Sequence, residues 1–329
     1  MTRKLESYAA GRWFAAAEEG RPLLDAGTGE EVARISASGL DLGAMVAHAR
    51  TVGGPALREL TFHERAGLLK AMAKDLTEHK DEFYELSFAT GATRRDSAVD
   101  IDGGIGTVFS IGSKGTREMP NDTVYLDGGL ERLGRGGTFV GQHVYTSRPG
   151  VAVQINAFNF PVWGMLEKLA PAFLAGVPSI VKPAAQTAYL TEAVVRRVIE
   201  SGLLPEGTLQ LLCGSPQGLL DELTVQDQVG FTGYAHTAGL LRNHTNVLHG
   251  GVELNVEADS LNCSILGPDV TADDPELDLF VKGVVTEMTV KAGQKCTAIR
   301  RALVPKEFAD DVVEATRARL AKVVVGAPG

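Results

Sequence analysis

Four short apolar runs at 151–155, 179–181, 209–212 and 229–231 alternate with longer stretches of helical spacing at 162–174, 187–201 and 217–223. Strands buried on both faces read as continuous apolar runs rather than as alternating ones. Strand-helix-strand at this rhythm joins parallel neighbours by right-handed crossovers. The chain is therefore predicted to be α/β, with a Rossmann-type doubly wound parallel sheet.

Upstream the pattern is helical. Leu68, Leu69, Met72 and Leu76 recur at three- and four-residue steps, with Lys70, Lys74 and Glu78 between them. The run Asp102-Gly103-Gly104-Ile105-Gly106 resembles a phosphate-binding loop, but no strand precedes it, so small residues at a helix contact are expected instead. Between 122 and 149, glycine-rich turns flank Thr138-Phe139-Val140 and Val144-Tyr145-Thr146, which predicts a β-hairpin of the kind that joins subunits. After 258 come a strand at 264–266, a helix at 275–288, a strand at 302–304, a helix at 309–320 and a strand-like Val323-Val324-Val325. The expected division is a dinucleotide-binding domain over 1–257, with an oligomerisation arm at about 123–149, and the start of a second α/β catalytic domain over 258–329. Roughly 70 residues are too few to finish that second sheet, so a truncated domain is expected.

Charge and cysteine usage narrow the function. A formal charge of −9 with no lysine- or arginine-rich run gives no footprint for nucleic acid or an acidic membrane surface. No apolar run reaches the roughly 18 residues of a membrane span, and the N-terminus has no apolar stretch of a signal peptide, so a cytoplasmic protein is expected. Cys213, Cys263 and Cys296 are far apart, with no Cys-x-x-Cys pair and no His-Glu-x-x-His. Neither a disulfide framework nor a metal site is predicted.

Gly293-Gln294-Lys295-Cys296-Thr297 places a thiol among small and polar residues, which favours access, whereas Cys213 at a strand end reads as core. Cys296 is either structural or a nucleophile, and Lys295 is a cation that could bias it toward thiolate. Asn156-Ala157-Phe158-Asn159-Phe160-Pro161 follows the first parallel strand, where α/β sheets place ligands. Its asparagine can donate to an oxyanion or cap a helix. Lys182 ends a strand where a ribose or phosphate can lie, and Phe231-Thr232-Gly233 leads into a helix whose N–H groups can face a pyrophosphate. Glu257 and Asp259 lie in an apolar stretch, as a base or as solvated loop carboxylates.

In this order, Asn-Phe-Pro, Lys-Pro-Ala, Phe-Thr-Gly, a glutamate and Gly-Gln-Lys-Cys resemble the aldehyde dehydrogenase superfamily. Lys168 and Lys182 follow Asn159 by 9 and 23 positions, spacings similar to the family's. The runs 156–161, 256–262 and 291–301 are similar to dehydrogenases of CoA-linked semialdehydes in aromatic degradation, including the dehydrogenase part of the phenylacetate-degradation bifunctional type. Residues 61–107 extend the likeness along nearly the whole chain. The resemblance implies that Cys296 attacks the aldehyde, that Asn159 and the Cys296 N–H hold the oxyanion, that Glu257 activates water and that Lys168 relays the proton. Glu253-Leu254 competes with Glu257 for the base. It further implies a cofactor site of Asn156, Phe158, Lys182, Ala184, Ala185, Phe231, Thr232, Gly233 and Tyr234.

Many NAD-preferring relatives carry a glutamate at the position of Ala185, where it bonds the ribose hydroxyls and repels a 2′-phosphate. Its absence predicts NADP, or NAD less well. Tyr234 departs from the family's usual serine. The implied partners are a small, CoA-linked aldehyde and further copies of the chain, as a homo-oligomer built from dimers. Two other readings stay open: a non-catalytic dinucleotide-binding fragment, and a cysteine hydrolase with a histidine brought near the thiol by the fold.

Overall fold

A computed structural model of the chain describes residues 3–271 and 274–328. The N-terminal segment forms two antiparallel pairs, β1 (Ser7–Ala9) with β2 (Arg12–Phe14) and β3 (Arg21–Leu24) with β4 (Glu31–Ile35). Helices follow: α1 (Leu42–His48), α2 (Gly54–Arg58), α3 (Phe62–Glu78), α4 (Lys80–Ser87) and α5 (Arg94–Glu118). A hairpin of β5 (Tyr125–Arg132) and β6 (Val140–Tyr145) then leads into the alternating region. That region comprises β7 (Ala152–Ile155), α6 (Trp163–Leu174), β8 (Ser179–Lys182), α7 (Ala188–Glu200), β9 (Leu209–Leu211), β10 (Gln228–Gly233), α8 (Ala235–Arg242), α9 (Thr245–Leu248) and β11 (Glu253–Ala258). Last come β12 (Cys263–Ile265), α10 (Pro275–Thr289), β13 (Arg301–Leu303) and α11 (Ala309–Leu320).

The main sheet has seven strands in the order β11-β10-β7-β8-β9-β1-β2. From β11 to β9 the pairing is parallel, as predicted. β1 and β2 add an antiparallel edge, so the sheet is mixed rather than wholly parallel. Chain order runs outward from β7 in one direction and restarts at β10 in the other, which opens a crevice at the carboxyl ends of β7 and β10.

Two further expectations need correction. The predicted helix at 217–223 is a single 3₁₀ turn, Leu219–Glu222, because Gly218 enters it with φ +87° and Leu223 leaves it extended. Val323–325 forms no strand; Val324 and Val325 are 94% and 92% exposed.

The glycine-rich run lies inside α5 and makes the expected helix contact. A Cβ on Gly103 would sit 2.7 Å from the Trp163 ring, and one on Gly104 2.9 Å from the Trp163 Cα. Gly115 is likewise pressed between Ala66 of α3 and Leu174 of α6. α3 starts with a capping box in which Thr61 and Glu64 satisfy each other's backbone N–H. α6 is capped from another element. The buried Asp100 carboxylate of α5 accepts from the Trp163 N–H at 2.8 Å and the Val162 N–H at 3.3 Å, and burial pushes its pKa up to about 6.

β12 and β13 form a separate two-stranded parallel sheet. With α10 and α11 it encloses its own cluster of Leu266, Phe280, Val281 and Val312. The β5–β6 hairpin leaves Leu130 and Phe139 exposed. Among the described residues, no helix is long and apolar enough to cross a membrane, and no group of three His, Cys, Asp or Glu side chains is placed to hold a metal ion.

Candidate active site

The segment leaving β7 crosses the crevice and is held from both sides. Its first residue, Asn156, donates its N–H to the Lys182 carbonyl at 3.0 Å. Thr187 and Thr191 donate their hydroxyls to the carbonyls of Phe158 and Pro161, at 3.0 and 2.9 Å. Asp100 fixes the far end through the α6 cap. Between these ties Asn159 projects its side-chain amide, whose Nδ2 donates to the Gln294 carbonyl at 2.9 Å, two residues before Cys296.

The segment carrying Cys296 is bent sharply after α10. Lys291, Ala292 and Gly293 are all left-handed, with φ of 50°, 50° and 71°. For the two non-glycine residues this costs roughly 1–2 kcal/mol each, so the surroundings must impose it. The Lys291 N–H donates to Asp96 at 2.9 Å, and the Lys291 ammonium stands 4.9 Å over the Phe160 ring. Asn262 donates to the carbonyls of Cys296 and, at 3.2 Å, Ala298, while Arg300 donates to the Lys295 carbonyl at 3.0 Å. Neither Asn262 nor Arg300 was foreseen as a site residue; bonds to backbone carbonyls have no sequence signature.

Cys296 remains accessible. Its thiol pKa is raised, first by partial burial and then by the hydrogen bond and charge of Glu257, against smaller opposing effects of the Cys296 and Thr297 N–H groups. Lys295 does not supply the expected bias toward thiolate. Its buried ammonium pairs with Glu287 at 2.8 Å instead. Removing the Glu257 charge must therefore lower the thiol pKa. Alkylation of Cys296 by neutral iodoacetamide, followed against pH, is expected to move to lower pH in Glu257→Gln; an unchanged profile would mean that the two groups do not face each other.

The two glutamates of β11 share one face and differ in position along it. Leu254, Val256 and Ala258 pack toward the core, leaving Glu253, Asn255 and Glu257 on the other side. Glu253 opens the strand, at the end remote from the crevice, where Arg148 grips it with two bonds of 2.8 and 2.9 Å and holds its carboxyl below the usual range. Glu257 lies at the carboxyl end, opposite Thr232, whose hydroxyl is 3.5 Å from its Oε2. Lys168 reaches over Gly230 of β10 and donates to the Gly164 carbonyl and Glu167, each at 3.1 Å.

The residues expected at the cofactor surround the same crevice. The Asn156 side chain is 5% exposed, with neither polar atom hydrogen-bonded, an orphaned amide that suits a polar ligand. Lys182 ends β8, and burial lowers its pKa. Ala184 and Ala185 follow it, beside a cleft of about 600 Å³. Phe231 is buried, and a Cβ on Gly233 would lie 2.6 Å from its ring, so that turn requires glycine. Tyr234 is 65% exposed, and the bulk that departs from the usual serine turns into solvent. The first N–H of α8 donates to Asp259 at 3.3 Å.

The aldehyde dehydrogenase family model matches residues 13–329. The chain is 46% identical over 326 residues to a 3,4-dehydroadipyl-CoA semialdehyde dehydrogenase of Aromatoleum evansii, covering 99% of this chain and 63% of that protein. That name, too, is of a CoA-linked semialdehyde. Among solved structures, a betaine aldehyde dehydrogenase of Staphylococcus aureus in complex with NAD+ aligns with a TM-score of 0.80 at 22% identity, over 98% of this chain and 63% of that one. An NADP-dependent glyceraldehyde-3-phosphate dehydrogenase of Bacillus halodurans, complexed with NADP, aligns with a TM-score of 0.78 at 21% identity, over 99% and 66%. The chain thus spans a little under two thirds of each of these three proteins.

Proposed function

The chain belongs to the aldehyde dehydrogenase family, and from that premise we propose that it oxidises a CoA-linked semialdehyde to the carboxylic acid through a covalent adduct on Cys296. The observation that carries this reading is the Glu257 carboxylate facing the Cys296 thiol, with Asn159 tied to the same loop.

The Cys296 thiol loses its proton to solvent and the thiolate attacks the aldehyde carbon, whose oxygen becomes an alkoxide that the Asn159 amide and the Cys296 N–H would hold. One N–H of that amide donates to the Gln294 carbonyl at 2.9 Å, which orients the group and leaves its second N–H for the alkoxide. Loss of hydride leaves a thioester on the sulfur. Glu257 takes a proton from water as the water attacks, which frees the acid and restores the thiol. Lys168 stands over β10 as the relay for that proton. The nicotinamide cofactor supplies the hydride acceptor. Asn156, Phe158, Lys182, Ala184, Ala185, Phe231, Thr232, Gly233 and Tyr234 are the residues that would hold it.

A second domain beginning near 258, with its own core of Leu266 and Phe280, would form the substrate-side wall. The exposed β5–β6 hairpin would join copies of the chain into dimers and larger homo-oligomers. No carboxylate stands at Ala185 to repel a 2′-phosphate, so NADP is the expected cofactor. The test is reduced-nicotinamide formation by the full-length protein with one aldehyde and either NADP or NAD. Turnover efficiency is expected to be at least about tenfold higher with NADP, which corresponds to roughly 1.4 kcal/mol; comparable efficiency with NAD would refute the preference.

A further inference from the structure

The cleft beside Ala185 is built in part by a segment that plays no role in the chemistry above. It is lined by Arg21 of β3, Ser36 just after β4, Lys182 at the end of β8, and Ser215 and Gln217 beyond β9. No aspartate or glutamate lines it, in a chain whose formal charge is −9. Arg21 and Lys182 have no ion-pair partner among the described residues, and the Arg21 charge adds to the burial that lowers the Lys182 pKa. Outside that lining, Glu18 accepts from the hydroxyl of Ser38, a lining residue, at 3.0 Å. Two uncompensated cations converging on one cleft repel each other until an anion enters, and a guanidinium fits a phosphate through paired N–H groups.

The placement of Arg21 follows from a contact only glycine allows. A Cβ on Gly214 would sit 2.4 Å from the Ala37 Cβ and 2.6 Å from its N. The chain leaving the β3–β4 hairpin therefore lies directly on the loop after β9, and the hairpin closes the cleft from outside the sheet. We infer that Arg21 is the second cation, with Lys182, of the seat for a 2′-phosphate on the adenine ribose, and so sets the choice of NADP over NAD. This rests on the dehydrogenase reading above and assigns it a residue from outside the dinucleotide-binding strands.

Calorimetric titration of the full-length protein with adenosine 2′,5′-bisphosphate and with adenosine 5′-monophosphate tests it without turnover. The wild type is expected to bind the bisphosphate more tightly. Arg21→Ala is expected to weaken the bisphosphate about 10- to 100-fold, the range for a charge-assisted contact, and to leave the monophosphate within about twofold, with Arg21→Lys between the two. If the wild type prefers the bisphosphate and Arg21→Ala keeps that preference, the inference on Arg21 fails while the NADP reading stands. Equal binding of both ligands by the wild type would overturn the NADP reading itself. Equal losses for both ligands in Arg21→Ala would mean that Arg21 supports the cleft rather than the phosphate, and would also overturn the inference.

Discussion

Glu257→Gln is expected to release one equivalent of reduced nicotinamide per active site and then stall. Glutamine keeps the shape of the side chain and its contact with Thr232 but cannot take a proton from water. Attack on the aldehyde and hydride loss do not need that carboxylate, and the first of them is helped when its charge leaves the thiol. Hydrolysis of the thioester does need it, and loss of a positioned base typically costs about 10²- to 10⁴-fold. Steady-state turnover should fall by that factor while the first turnover persists. Glu253→Gln serves as the counterpart. Its carboxylate is already committed to Arg148 at the opposite end of β11, so its removal should leave turnover within about twofold of the wild type. The reverse pattern, a stall in Glu253→Gln and normal turnover in Glu257→Gln, would exchange the two roles.

Cys296→Ala is expected to remove both the first and the later turnovers, with a loss of at least about 10⁴-fold, because the adduct forms on the Cys296 sulfur and alanine has none. Cys263 is exposed but belongs to β12, and Cys213 is buried against the sheet with its thiol pKa strongly raised. The Asn262 and Arg300 bonds run to backbone carbonyls, so the alanine variant should keep the loop and bind the cofactor as the wild type does. Unchanged binding with abolished turnover separates loss of the nucleophile from loss of the fold.

The parallel strands were readable because each is a run of apolar residues long enough to stand out between turns. The three-residue β1 and β2 were not, since so short a segment shows no period and the pairing of β1 with β9 is decided some 200 positions away. The helix contact at Gly103 and Gly104 was legible from the missing strand, and the run Val323–325 misled because apolarity alone does not provide a partner strand. At the site, motif order singled out Cys296, Glu257 and Asn159, which the structure brings to one crevice. What orients them was not legible. Lys295 turns to Glu287 because that carboxylate lies one helix away. Arg148 pairs with Glu253 from 105 positions upstream. Arg21 reaches the cleft beside Ala185 because Gly214 lets two backbones touch.

The proposed chemistry passes through a thioester on Cys296, and trapping it is the most direct measurement. Glu257→Gln, mixed with aldehyde and NADP and quenched in acid, is examined by intact mass and peptide mapping. An added mass equal to the acyl group, mapped to Cys296 and formed in step with reduced nicotinamide, is the predicted result. Reduced nicotinamide without any adduct, or an adduct on another residue, would contradict it.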